Sequence, residues 1–369
     1  MAADYYIMLK NQAGAQVALF DKWYRLEYHR QRNEAGWCRL DLHLPDDRST
    51  LFNLDGQIEI YRRGDWAGAS WYVDMEALHR REDYTMLATG QERFKSWGPG
   101  YLELLRRRIG LYWLYNHDAF TRDGYLTITA TAPEVIGEFV DREAGPAAEV
   151  ARRTAGLTLA AIAPAGATIT EQLRNTELLL RCQQLAEGYG LDMRIVGNGV
   201  AQFEFQVAPV LGTDRRVGNP FANPPMVFRP DYGNMAKPRY LEDRLDEGNH
   251  VFVGGQGTGW ERMIYDQQDA GLVADSPWNL REFFVDARDI AREDEMPARA
   301  VQALEENEPI ADLEFTVVET DAYKYGRDWD LYDLVTGIYR GQQDYRVEAV
   351  TVTVTDAGVE TIKADLIAY

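Results

Sequence analysis

The C-terminal end of the chain constrains its fold more than any other segment. The sequence alternates through Val350-Thr-Val352-Thr-Val354, turns at Asp356-Ala-Gly358, and resumes the same period with Ile362, Ala364, Leu366 and Ala368. A period of two places alternate residues on opposite faces of a pleated strand, so this segment predicts a hairpin with one buried face. A lone hairpin is marginal in water, and further strands must cover that face. The first 110 residues supply them. Ile58 and Ile60 alternate in Gln57-Ile-Glu-Ile-Tyr-Arg62, and Trp71, Val73, Met75 and Ala77 share one predicted face. Turn residues separate these runs at Leu44-Pro45-Asp46-Asp47, Leu54-Asp55-Gly56 and Arg63-Gly64-Asp65. Short strands at this spacing predict a sandwich or barrel.

The chain has 369 residues, too many for one ordinary core, and divides by pattern into three parts. Residues 1–110 read as β and close on Gly100-Tyr-Leu-Glu-Leu-Leu-Arg-Arg-Arg-Ile109. Residues 111–225 are mixed. Helical spacing appears in Pro133–Val140 and in Thr170–Ala186, where Leu173, Leu178, Cys182 and Leu185 form a stripe. A hairpin is predicted from 191–196 and 201–207 around Gly197-Asn-Gly199, and Pro220–Pro225 reads as a linker. Residues 226–369 return to β, with a helix predicted over Pro277–Glu306, broken at Pro297, that buries Phe283, Phe284, Ile290, Val301 and Leu304.

Composition excludes several classes. The hydrophobic fraction of 46% and nine tryptophans argue against disorder. No run reaches the roughly 18 to 20 apolar residues of a membrane span, and the start lacks the basic and apolar regions of a signal peptide. Synthesis and folding in a cytoplasm are therefore expected. Cys38 and Cys182 belong to no ligand set, and His29, His43, His79, His117 and His250 show no metal-binding spacing. The net charge of −20 is uneven: residues 1–110 carry 16 basic and 16 acidic side chains, whereas 281–333 carry 6 and 16. A phosphate-neutralising protein would show the opposite sign. The acidic stretch is either a solvated face or a surface past which DNA slides.

The motifs with chemical potential fall short of their patterns. In Val251-Phe-Val-Gly-Gly-Gln-Gly-Thr-Gly-Trp260 the glycines miss the dinucleotide-binding spacing, and no Gly-Lys-Ser/Thr follows. Asp328, Asp330 and Asp333 cluster as in a calcium loop, but Asp333 and Tyr339 stand where an EF-hand needs Gly and Glu. There is no GxSxG elbow. Trp66, Trp71 and Trp97 could stack on sugars or pack a core. No residue is singled out as catalytic, cofactor-binding or metal-ligating.

Several segments in order nevertheless form a pattern. Asn33-Glu-Ala-Gly36-Trp37 to Pro45 leads into Ile58-Glu-Ile-Tyr61-Arg62, followed by Gly100–Ile109. Later come Val227-Phe-Arg-Pro-Asp-Tyr-Gly-Asn234, Asn249–Gly255 with Arg262, then Tyr325-Gly-Arg-Asp-Trp-Asp-Leu-Tyr-Asp333-Leu-Val-Thr336 and Tyr345-Arg346-Val347-Glu-Ala-Val350. Over nearly the whole length this resembles the hub proteins at the tip of siphophage tails, relatives of the central baseplate hub of contractile phages. Tyr332 departs from the pattern, standing where those proteins usually have Gly, so a different turn is expected there.

The resemblance implies a mainly β fold with α+β insertions: two tube-like β-sandwich or barrel domains, 1–110 and 226–369, around a mixed α/β middle domain, 111–225. It implies a homotrimer whose pseudo-sixfold ring continues the tail tube in the virion. Its implied partners are distal-tail or tail-tube proteins, the tape measure protein, and fibre or tip proteins, with DNA passing the lumen without specific binding. No lysozyme or peptidase domain follows the hub portion, so a structural, non-enzymatic role is expected. The alternatives are a carbohydrate- or receptor-binding tail module, marked by an exposed aromatic groove with convergent polar groups, a distal-tail ring protein, and a cell-wall hydrolase.

Overall fold

The computed structural model describes residues 3–44, 46–110, 126–173, 175–217, 225–288, 290, 292–293 and 296–369. His117 and the expected linker at 220–224 fall outside these. The chain is mostly β. Its first part forms β1 (Asp4–Lys10), β2 (Gln16–Phe20), β3 (Arg25–Gln31), β4 (Trp37–His43), β5 (Gln57–Arg63), β6 (Tyr72–Leu78), β7 (Arg81–Met86), β8 (Glu92–Pro99) and the short α1 (Glu103–Arg106). Then come β9 (Leu126–Thr131), α2 (Ala132–Glu143), β10 (Leu157–Leu159), β11 (Thr168–Leu173), α3 (Leu178–Gly188), β12 (Asp192–Gly197) and β13 (Phe203–Ala208). The remainder holds β14 (Val227–Phe228), β15 (Met235–Asp243), β16 (His250–Gly254), β17 (Ile264–Gln268), α4 (Ala270–Ala274), β18 (Glu282–Asp286), α5 (Met296–Glu305), β19 (Ile310–Val317), β20 (Leu334–Ile338), β21 (Gln342–Thr355) and β22 (Glu360–Ala368).

A ten-stranded sheet dominates. Its main path runs β15-β19-β22-β21-β3-β4-β8-β7, with β20 and then β14 branching from β21. Strands from both ends of the chain meet where β21 pairs antiparallel with β3, Ala349 opposite Gln31 through Thr355 opposite Arg25. The path reads as two four-strand runs set back to back, each starting from a hairpin at the centre, β3–β4 and β21–β22. A four-stranded sheet, β2-β1-β5-β6, faces it. Rings from both sides join across the interior, Phe20 against Phe52 at 5.6 Å and Phe52 against Phe94 at 5.0 Å. The alternating residues Ile7, Leu9, Ile58, Ile60, Leu26, Leu40, Val350, Val352, Ile362 and Leu366 are buried here. Each contributes about 1.5–3 kcal/mol of apolar burial.

Two compact units result. One comprises 1–186, 191–239 and 313–369; the other comprises 187–190 and 240–312. The second is inserted in sequence between β15 and β19. Its sheet, β17-β16-β18, packs Val251, Val253, Met263, Tyr265, Phe283 and Val285 against Met296, Ala300, Ala303 and Leu304 of α5.

Three expectations need correction. The helix over Pro277–Glu306 is a strand, β18, followed by the shorter α5, so Phe283 points into the core whereas Phe284 and Val301 are exposed. Phe283 and Val285 alternate with Glu282, Phe284 and Asp286, which is strand periodicity. The stripe over Thr170–Ala186 splits as well: Leu173 ends β11, whose β-branched Thr168-Ile-Thr170 favours a strand, and α3 starts at Leu178. The shared face of Trp71, Val73, Met75 and Ala77 breaks at a bulge. Ile60 pairs with Met75 but Tyr61 with Val73, so Asp74 is the extra residue and turns inward while Val73 faces solvent. Tyr332, where the hub-like pattern has Gly, takes φ +73°, in the left-handed region that favours glycine, and its hydroxyl donates to the Met193 carbonyl at 3.1 Å.

Candidate functional site

The bulge at Asp74 brings that residue into a buried polar cluster of the first unit. Asp74 is ordinary in sequence, yet its carboxylate is buried and accepts from Arg30 Nη1 at 2.8 Å, from Tyr325 Oη at 2.8 Å and from the Tyr28 hydroxyl. Arg30, on β3, also reaches Asp330 Oδ1 at 2.6 Å. Arg62, on β5, is completely buried. Its Nε donates to Tyr5 Oη at 3.0 Å and to Glu360 at 2.9 Å, Nη1 to Tyr72 Oη at 3.1 Å and to the Tyr325 carbonyl at 2.9 Å, and Nη2 to Glu319 at 3.3 Å. The Tyr325 ring lies 4.9 Å beneath the guanidinium. Lys324 completes the cluster, 2.9 Å from Asp65.

The electrostatics follow from burial. Desolvation raises the Asp74 carboxyl above the usual aspartate range, and Arg30 pulls it back only in part. Burial opposes the charge of Arg62, but Tyr5 and Glu360 outweigh it and keep the guanidinium firmly protonated. Burial first and a neighbouring carboxylate second push the Tyr5 and Tyr28 hydroxyls well up, so both stay neutral donors. A buried ion pair breaks even only when its remaining lone pairs and protons are satisfied, which is the arrangement around Arg62. Each carboxylate bonded to Arg62 or Arg30 is tied to that cation, so none of them is free to act as a base. The cluster fastens β1, β3, β5 and β6 to β22 and to the 319–330 segment.

A second cluster ties in the middle of the chain. Asp192, fully buried at the start of β12, accepts from Arg32 Nε at 2.6 Å and from Arg346 Nη1 at 2.8 Å. Asn33 stands beside it at positive φ, donating to the Leu191 carbonyl at 2.9 Å and accepting from Met193 N–H at 2.7 Å. Here the motifs acquire a physical account. Arg62, Tyr325, Asp330 and Arg346, each within a segment that carried the hub-like pattern, converge on these two clusters. Asn234 has a comparable part, accepting from Arg229 N–H at 3.0 Å and donating to the Val227 carbonyl at 2.7 Å. Arg30, Asp74 and Glu360 carried no sequence signal, since their partners lie from 44 to 355 positions away.

The other singled-out residues separate. Asp328, Asp330 and Asp333 do not converge: Asp328 pairs with Arg327, Asp330 with Arg30 and Asp333 with Arg215. Asp328 and Asp333 are buried. These three therefore cannot serve as the free acidic wall considered for 281–333. Glu305, Glu306 and Glu308 lie on or just after α5 in the second unit. The glycine-rich run leads from β16 into a single 3-10 turn, Gly259–Glu261, with no helix N-terminus to receive a phosphate. Cys38 and Cys182 are buried free thiols, pushed up to about 12 by burial. His79 bonds Ser96 at 2.8 Å, and His29 bonds Thr351 at 2.9 Å. Trp97 stacks near Trp37 at 6.5 Å, and Trp71 lies 4.7 Å from Tyr6. Gln57–Arg62, on β5, is flanked on both sides by β1 and β6. Among the described residues the two large sheets end on β2, β6, β7 and β15, and the β6 end is bridged to the other sheet through Ala77 and Gly100.

Comparison with known proteins supplies the context for this architecture. A family model described as Siphovirus ReqiPepy6 Gp37-like protein matches residues 6–366. The fold resembles the 43 kDa tail protein of prophage MuSo2 from Shewanella oneidensis, with TM-score 0.63 and 10% identity over 100% of this chain and 98% of that one. It also resembles a tail protein from Neisseria meningitidis, with TM-score 0.59 and 11% identity over 99% and 96% of the chains. The VgrG-containing PdpA complex of Francisella gives TM-score 0.53 and 10% identity, covering 100% of this chain and 52% of that one. No curated protein sequence matches.

Proposed function

Because the chain belongs to the siphovirus ReqiPepy6 Gp37-like family, we propose that it is a structural hub of a phage tail tip, assembled as a homotrimer whose ring continues the tail tube. On this reading 1–110 and 226–369 act as the two tube-like domains and 111–225 as the mixed domain between them. The observation that carries the proposal is the ten-stranded sheet. It contains two four-strand runs back to back and, among the described residues, ends on β7 and β15 with no further strand paired to either. Free edges invite pairing with another chain, and head-to-tail pairing of β7 with β15 of the next copy would close a ring and remove them. Three copies of two runs would give six similar sectors around an axis. The buried clusters support a mechanical role, since they fasten the strands from both ends of the chain into one body. The protein is then a non-enzymatic virion component, made in the host cytoplasm. It would contact distal-tail or tail-tube, tape measure and tip or fibre proteins, with DNA passing unspecifically.

Electron cryomicroscopy of the intact particle tests this through copy number and edge pairing. Three copies with β7 beside β15 of a neighbour are expected. Six identical copies in one ring would make it a distal-tail ring protein instead.

A further inference from the structure

The inserted unit has a second sheet face that its own helix does not cover. Opposite the core residues, the strands β17, β16 and β18 carry three rows: Gln268–His250–Glu282, Asp266–Phe252–Phe284 and Ile264–Gly254–Asp286. Ile264 and Phe284 are more than half exposed, and the two most exposed large apolar residues of the described chain, Trp260 at 92% and Trp278 at 87%, belong to the same unit. By sequence they flank opposite ends of the strands, Trp260 before β17 and Trp278 before β18. Polar groups converge among the rings. His250 lies 3.2 Å from Asp266 and 3.6 Å from Glu282. Arg262 is pinned by the Gly254 and Gly255 carbonyls at 2.8 and 3.1 Å, sits 5.1 Å from the Phe284 ring centre, and pairs with Asp286.

We propose that this face binds a polysaccharide of neutral pyranose sugars. The charges select the ligand class. The carboxylates Asp266, Glu282 and Asp286 offset the basic side chains beside them, Arg262, Arg288 and His250, so the face offers no cationic excess to hold nucleic acid or an anionic bilayer. A close-packed apolar protein partner would have to desolvate all three carboxylates. A pyranose ring instead offers a C–H face to an aromatic ring and hydroxyl donors at its rim, which carboxylates accept without needing a countercharge. The proposal does not depend on the trimeric reading, because the unit presents this face by itself.

The test uses the purified full chain against immobilised bacterial cell-wall polysaccharides, with oligomers of N-acetylglucosamine and of galactose as soluble probes. Saturable binding is expected, little changed between low and high salt. Phe284→Ala and Ile264→Ala, both on the face, should each weaken it about tenfold, while Trp71→Ala, in the other unit, leaves it intact. Both exposed substitutions should leave the melting temperature unchanged, so a loss of binding cannot be ascribed to unfolding. Absence of binding to every glycan, binding that survives both substitutions, or salt-sensitive capture of a basic peptide in place of sugar would each overturn the proposal.

Discussion

Removing the guanidinium of Arg62 while keeping most of its volume, as Arg62→Met, probes the buried cluster most directly. The substitution leaves Glu360, Glu319, the Tyr325 carbonyl and the hydroxyls of Tyr5 and Tyr72 without their common donor. Glu360 keeps little solvent, its side chain being 8% exposed. Breaking a buried ion pair by removing one partner costs about 3–5 kcal/mol, because the remaining charge is left uncompensated. That is a large share of the roughly 5–15 kcal/mol that stabilises a typical domain. Urea unfolding followed by tryptophan fluorescence and by circular dichroism would measure it. Glu360→Gln should cost less, and the double variant Arg62→Met/Glu360→Gln should recover about 1.5–3 kcal/mol relative to the sum of the singles. A single-variant cost below about 1 kcal/mol, the range of solvent-exposed pairs, or additive effects in the cycle, would refute the view that this cluster fastens the strands together.

Three further outcomes are expected. Burial raises the Glu76 carboxyl although Gly197 N–H bonds to it, so the folded protein holds this proton at pH values where the unfolded chain has released it. Its contribution to stability therefore falls as pH rises from the unfolded value through the folded one; Glu76→Gln should remove that decline in urea titrations across mildly acidic pH. The Cys38 and Cys182 thiols, buried and pushed up to about 12, should resist thiol reagents in the native state and react at once in denaturant. Tyr332→Phe should cost about 1 kcal/mol for the bond to the Met193 carbonyl. Tyr332→Gly should cost about 2–4 kcal/mol despite relieving the left-handed backbone, because the buried ring is worth more than the strain of roughly 1 kcal/mol; a stabilised glycine variant in thermal melts would contradict this.

The local pattern was legible and the long-range partners were not. Val350, Val352 and Val354 announced β21, and Ile362, Ala364 and Leu366 announced β22, because a half-buried strand writes its period into its own residues. β18 was misread because it is only five residues long and follows a loop with Pro277, so two aromatic residues in succession passed for a helical face. The α5 helix was overextended, although Pro297 sits in its first turn, where proline is tolerated. At Asp74 a bulge reverses the alternation, and a single chain carries no mark of where an extra residue falls. The clusters were hidden for a similar reason. Arg62 and Glu360 are 298 positions apart, and each looks like an ordinary surface charge until β3 and β21 come together. The carbohydrate-binding alternative had its marker named from sequence, an aromatic face with polar groups. The residues on that face, the rings Phe252 and Phe284 and the aliphatic Ile264, had been assigned elsewhere or passed over.

The junction of β3 with β21 also sets a clock on the ribosome. Leu26 pairs with Val354, 328 positions later. At roughly 5–20 residues per second, β3 emerges about 16 to 66 seconds before the strand that covers its free edge exists. During that interval β3 and β4 can form their hairpin, but the sheet stops at an open side bearing Leu26 and Tyr28, both destined for the interior. Nascent chains on neighbouring ribosomes translating the same message would present the same open side to one another. Overexpression at high temperature, which crowds such intermediates, should therefore yield more insoluble product than slow synthesis at low temperature. The first strands to be made are among the last to be finished.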